Sequence, residues 1–177
     1  VGIVEKVISF LFLVPSSMLS SVSALGAQNF GAGKPERAVE TLKYAIMIAV
    51  GFGLTVAVVI QFAADPVVSL FTDNGTVIHS GGQYLRGYIW DCVFAGIHFS
   101  FSGYFCACQK SGLSFLHNIT AIVLVRVPGV YLMSKLFSDT LYFMGLATAA
   151  GSLLSVIICV IAFTILLKKE RENKAFR

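Results

Sequence analysis

Residues 41–62 read TLKYAIMIAVGFGLTVAVVIQF. No charged residue follows Lys43 in this stretch, and about 20 mostly apolar residues rising 1.5 Å each are enough to cross the hydrocarbon core of a bilayer as a helix. Working outward, four more blocks have the same character, at 7–28, 84–108, 113–136 and 142–167. Over the 177 residues, 56% are hydrophobic and only 12% charged, with a mean hydropathy of +0.83. Such a chain has too little polar surface for a water-soluble domain. The expected fold is all-α: a polytopic helical membrane protein of about five transmembrane helices, one unit over 1–177, with a tail at 168–177.

The start of the chain is not a secretory signal, because the block after Glu5-Lys6 is too long and lacks a small-residue cleavage site. It begins at Val1 without an initiator Met, so a truncated start is the expectation. Cys92, Cys106, Cys108 and Cys159 all fall inside predicted spans and are read as free thiols. Two residues apart on a helix, Cys106 and Cys108 point about 200° apart and cannot share one ion.

Five spans put the termini on opposite sides. Lys34, Arg37, Lys43, Lys110 and the basic tail from Lys168 then gather on one side, while Asp65, Asp73 and Asp139 lie on the other with Arg86 and Lys135. The basic side is expected to be cytoplasmic. The net charge of +4 is therefore a topological signal, and nucleic acid is not an expected partner. Asn74-Gly75-Thr76 matches a glycosylation pattern on the outer side, without further support. The connection at 63–83 holds Asp65-Pro66, Asn74-Gly75 and Gly81-Gly82, which predicts a surface excursion with turns and a brief interfacial helix over the apolar run 67–71.

The loop Gln28-Asn29-Phe30-Gly31-Ala32-Gly33-Lys34-Pro35-Glu36-Arg37-Ala38 is rich in glycine but is not a phosphate-binding loop. Gln28 stands where the first glycine belongs, and Pro35 replaces the hydroxyl residue after the lysine. Gly31 and Gly33 are instead expected to end one span and reverse the chain, with Pro35 in the first turn of the next helix.

The same loop, preceded by a helix containing Pro15, resembles the characteristic loop of the multidrug and toxic compound extrusion (MATE) transporters. Tyr84-Leu85-Arg86 with Ile89-Trp90-Asp91-Cys92 is similar to the start of that family's tenth helix, and Val125-Arg126-Val127-Pro128 to its eleventh. The resemblance implies helices eight to twelve of a twelve-helix, two-lobe transporter, hence most of its carboxy-terminal lobe. The amino-terminal lobe and the seventh helix, which supply coupling carboxylates in the family, are then missing partners. Gln28, Asn29, Gly31, Gly33 and Arg37 are the loop positions that carry the match.

Read without the family, the third span holds the chemistry. Tyr84, Tyr88, Asp91, Ala95, His98 and Ser102 recur at steps of three and four and share a face. A carboxylate at membrane depth costs at least ~2.5 kcal/mol, so it faces a cavity or a partner. Two readings of Asp91 stand: a coupling-ion site, with sodium or a proton as the ion, or a structural ion pair with Arg126 of the antiparallel fourth span. His98 is either a packing residue or a cavity residue; ~10.5 Å of helix separates it from Asp91. Tyr88 is a third cavity candidate, and His79 and His117, near loop ends, receive no role. Ser16, Ser17, Ser20, Ser21 and Ser23 either pack helices closely or line a wet cavity.

No residue is assigned to catalysis, and no cofactor is expected beyond the coupling ion. The resemblance implies part of a cation-coupled antiporter exporting amphipathic, often cationic, small molecules by alternating access, in a bacterial plasma membrane with lipid around it. The alternatives are a non-transporting membrane module or truncated gene product, and a related lipid-linked sugar flippase.

Overall fold

The computed structural model describes residues 2–137 and 140–175. Among these there are helices and no strands: α1 (Gly2–Leu11), α2 (Leu13–Gly31), α3 (Pro35–Ser69), α4 (Gly75–Tyr88), α5 (Trp90–Ala107), α6 (Ser111–Ala121), a π-helical segment (Ile122–Arg126), α7 (Val127–Leu136) and α8 (Tyr142–Ala175). The protein is an all-α polytopic membrane protein. Four stretches of the described residues are long and apolar enough to cross a bilayer: Val4–Gly31, Pro35–Ser69, Ser111–Leu136 and Tyr142–Lys169.

The expected third span at 84–108 is not among the four. Asp91, His98, Ser100 and Ser102 make α5 too polar, and the fold compensates by placing that helix in the middle, with no residue of Trp90–Ala107 exposed. α2, α3, α6 and α8 all pack against it. Small residues allow the close approach that membrane helices need. A β-carbon on Gly96 would stand 2.7 Å from Ala49 Cβ, and one on Gly103 would stand 2.5 Å from the Leu19 carbonyl oxygen.

The contacts also give direction. Gly26 meets Ala107 while Gly103 meets Leu19 and Val22, so α2 and α5 run parallel; Gly53 meets Val93 while Gly96 meets Ala49, so α3 runs antiparallel to them. Tyr104 touches Phe163 and Arg126 links Asp91 to Ser152, which sets α8 parallel to α5. Lys34, Lys110 and Lys168 consequently lie at one end of the bundle, and Asp73 at the other.

Three boundaries differ from expectation. Pro15 lacks the N–H that would bond Leu11, and the first span is interrupted at Phe12 just before it. Residues 63–83 are mostly helical rather than an excursion with turns. α3 runs through Pro66 to Ser69, absorbing the expected interfacial helix, and α4 already begins at Gly75. Asn74 caps it, its Oδ1 accepting from Thr76 N at 3.0 Å and Val77 N at 3.3 Å, an arrangement worth ~1 kcal/mol. Gly81 and Gly82 are buried inside α4, where they let it press on Val4, Val68 and Asp65. The last helix continues past 167 to Ala175, so the expected tail at 168–177 starts as helix; Asp139 and residues 176 and 177 lie outside the described residues.

Candidate functional site

The glycine loop closes as a compact reversal. Ala32 N–H donates to Gln28 O, Gly33 N–H to Phe30 O and Lys34 N–H to Asn29 O. Gly33 has φ +70°, and Pro35 opens α3. Asn29 Nδ2 donates to Leu25 O at 2.8 Å, while Gln28, Gly31, Gly33 and Arg37 are exposed. The α5–α6 turn repeats the same bonds seventy-six residues later in the chain: Cys108 to Tyr104, Gln109 to Cys106, Lys110 to Phe105. There Gln109 takes the left-handed position, at φ 59°. These residues shape a turn and bring no charged group into the bundle interior.

The interior chemistry converges elsewhere. Asp91, in the first turn of α5, is fully buried about midway along the bundle, two residues from the Val93 that packs on Gly53 of α3. Its Oδ2 accepts from Arg126 Nη2 at 2.7 Å, and the same Nη2 lies 3.4 Å from Ser152 Oγ. Oδ1 is buried without a hydrogen-bond partner. The pair is unequal in surroundings, since the Asp91 side chain is 0% exposed and that of Arg126 35%.

A cavity of about 310 Å³ opens beside the pair, lined by Tyr88, Asp91, His98, Asn118, Arg126 and Ser152 among others. It is polar and roomy enough for several waters, each needing ~30 Å³. His98 is 5% exposed, its Nδ1 buried with no partner, and its ring centroid lies 5.6 Å from that of His117. The structure thus brings Tyr88, Asp91, His98 and Arg126 around one space.

His117, given no role from its place near a loop, is fully buried. Its Nε2 lies 2.8 Å from Ser102 Oγ and its Nδ1 3.3 Å from Ser155 Oγ. A second ion pair also escaped the sequence reading: Arg86 Nη2 donates to Asp65 Oδ2 at 3.0 Å. Arg86 Nε donates to Gln61 O and Gln61 Nε2 to Arg86 O, both at 3.1 Å, so α3 and α4 are latched together. Of the α2 serines, Ser16, Ser17, Ser20 and Ser21 are exposed on this chain, while Ser23 is half-buried where α2 meets Gly103 of α5. The four cysteines are free thiols, and no group of three or more His, Cys, Asp or Glu able to hold a metal occurs among the described residues.

A bundle of membrane-length helices around a buried carboxylate and a cavity large enough for water fits a membrane transport protein. The MatE family model matches residues 1–132. The chain belongs to the MatE family, a family of transporters. Among curated proteins it is similar to a FAD transporter of Shewanella oneidensis, 28% identical over 122 residues, which are 68% of this chain and 26% of that protein. The chain thus spans about a quarter of that relative's length. No solved structure matches it significantly.

Proposed function

We propose that this chain is part of a cation-coupled antiporter that exports amphipathic, often cationic, compounds by alternating access, with the coupling ion, sodium or a proton, held at Asp91. The observation that carries the reading is the Asp91 carboxylate, 0% exposed at mid-bundle, with one oxygen unpartnered beside a cavity. A carboxylate of that kind is costly in a membrane and marks an ion pathway. Tyr88 and His98 supply further cavity-lining polar groups. The bundle is set in a bacterial plasma membrane, its basic end with Lys34 and Lys110 inside, and pairs with an amino-terminal lobe. Rocking of two lobes around a midplane site accounts for transport in such architectures.

The test is Asp91→Asn in the whole transporter, reconstituted in liposomes with imposed sodium and proton gradients. The protein is expected to insert normally and to lose gradient-driven export of ethidium. Unchanged export, with unchanged dependence on both ions, rejects the assignment. The name of the Shewanella relative favours a second substrate reading, a flavin dinucleotide, and the same liposomes test it. FAD export without ethidium export replaces the amphipathic-cation reading with the flavin one.

A further inference from the structure

We infer that Arg126 is a tethered competitor for the coupling ion: it occupies Asp91 in the ion-free state and is withdrawn, by a register change in the π-helical segment that carries it, when the ion binds. The inference rests on the proposed role of Asp91 and adds the group that the ion must displace.

Electrostatics require some such exchange. Arg126 already neutralises Asp91 through Oδ2. A second cation at the free Oδ1 would stand within a few ångströms of the guanidinium, where two like charges repel strongly in a poorly screened interior. Alternating occupancy keeps the site neutral in both states. Among the described residues lining the cavity, Arg126 is the sole fixed cation. The other titratable groups around the pair are Tyr84 and Tyr88 from α4 and Cys92 and His98 from α5, with His117 of α6 behind His98. α6 adds the neutral Asn118, and α8 contributes hydroxyls, Ser152 and Ser155.

The backbone supplies the means. Arg126 is the last residue of the π segment Ile122–Arg126, closed by Val127 N–H donating to Ile122 O. A π segment is one extra residue in an α-helix, and such insertions concentrate at functional positions. Moving the extra residue past Arg126 turns its side chain by about 100°, one residue's rotation in an α-helix. Pro128 has no N–H, so neither register gains or loses a bond at that position. No residue of the segment is fully buried, and beyond its flanking helices it packs on α8. On the inner side, the Arg126 stem passes Gly151 of α8, where a β-carbon would stand 3.2 Å from Arg126 Cβ. That contact leaves the stem room to slide only while position 151 is glycine.

The test measures half-saturating sodium, and in a second arm half-saturating proton concentration, for export by the whole transporter in liposomes. Arg126→Gln removes the competitor and is expected to lower the half-saturating concentration of the coupling ion about 10-fold or more, with export poorly coupled. Arg126→Lys keeps a competing charge and should stay near wild type. Gly151→Ala wedges the stem and should raise the half-saturating concentration. The sodium arm or the proton arm responds according to which ion couples. Unchanged half-saturation in Arg126→Gln, or an Arg126→Lys variant that behaves like it, overturns the inference. Should Arg126→Gln fail to fold, the rise expected of Gly151→Ala, set against the near-wild-type value expected of Arg126→Lys, still decides. Normal ion dependence in Asp91→Asn instead rejects the site itself, whereas loss there with no shift in the Arg126 and Gly151 variants rejects the exchange alone.

Discussion

Ser102 Oγ lies 2.8 Å from Nε2 of His117, on the opposite side of the imidazole from Ser155. The Ser155 hydroxyl lies 3.3 Å from both His117 Nδ1 and the His117 carbonyl, and donation to the carbonyl favours one arrangement. Ser155 donates its hydroxyl to the His117 carbonyl at 3.3 Å, so its oxygen can only accept from Nδ1–H. His117 Nε2 is then the acceptor for the Ser102 hydroxyl.

The expected tautomer of His117 is therefore Nδ1–H, which nitrogen NMR of labelled protein in nanodiscs can read. Ser102→Ala leaves Nε2 unpaired in the interior and should cost about 1–3 kcal/mol of stability. Ser155→Ala, which removes two longer contacts, should cost less. An Nε2–H signal, or a neutral Ser102→Ala, contradicts this geometry.

A second expectation concerns the central ion pair. Arg126→Gln leaves a fully buried carboxylate without its partner and should destabilise the folded protein in detergent by about 3–5 kcal/mol, whereas Asp91→Asn leaves a half-buried guanidinium that water can reach and should cost less. Because they share one interaction, the double variant should lose clearly less than the sum. Strict additivity in thermal unfolding would mean that the 2.7 Å contact contributes nothing.

The two equivalent turns make a matched pair for backbone conformation. Gly33 and Gln109 both sit at positive φ, which costs a residue with a β-carbon roughly 1–2 kcal/mol. Gln109→Gly should raise stability by about 1 kcal/mol, and Gly33→Ala should lower it by a similar amount. Melting curves of the two variants should move in opposite directions.

Much of this fold was legible because lipid is a demanding solvent: apolar blocks of span length, with most charges near their ends, leave few alternatives. The Gly33-Lys34-Pro35 reversal was legible for a local reason, since glycine and proline act on their own backbone. Asp91, Tyr88, His98 and Arg126 stood out as polar groups at depth. What escaped depends on neighbours distant in sequence. Gly81 and Gly82 read as breakers, yet in α4 they are the price of contact with Asp65 and Val68. The Gln61–Arg86 latch joins residues twenty-five apart, and the burial of His117 depends on α5 and α8. The π segment leaves no compositional mark beyond Pro128 nearby.

The last expectation is orientation. The parallel course of α2, α5 and α8 gathers Lys34, Lys110 and Lys168 at one end, with Asp73 and Asn74 at the other, and retention of basic loops on the cytoplasmic side sets which end faces in. Lys34 and Asp73 are both exposed, so each can host a reporter without disturbing a contact. In a background with the four cysteines replaced, a single cysteine at Asp73 should react with a membrane-impermeant maleimide added to intact cells. One at Lys34 should react only after the cells are opened. Because the two positions sit at opposite ends of α3, the reverse pattern would invert the whole bundle rather than move one loop. It would also place the basic tail of α8 outside, against the charge asymmetry that orients every other helix.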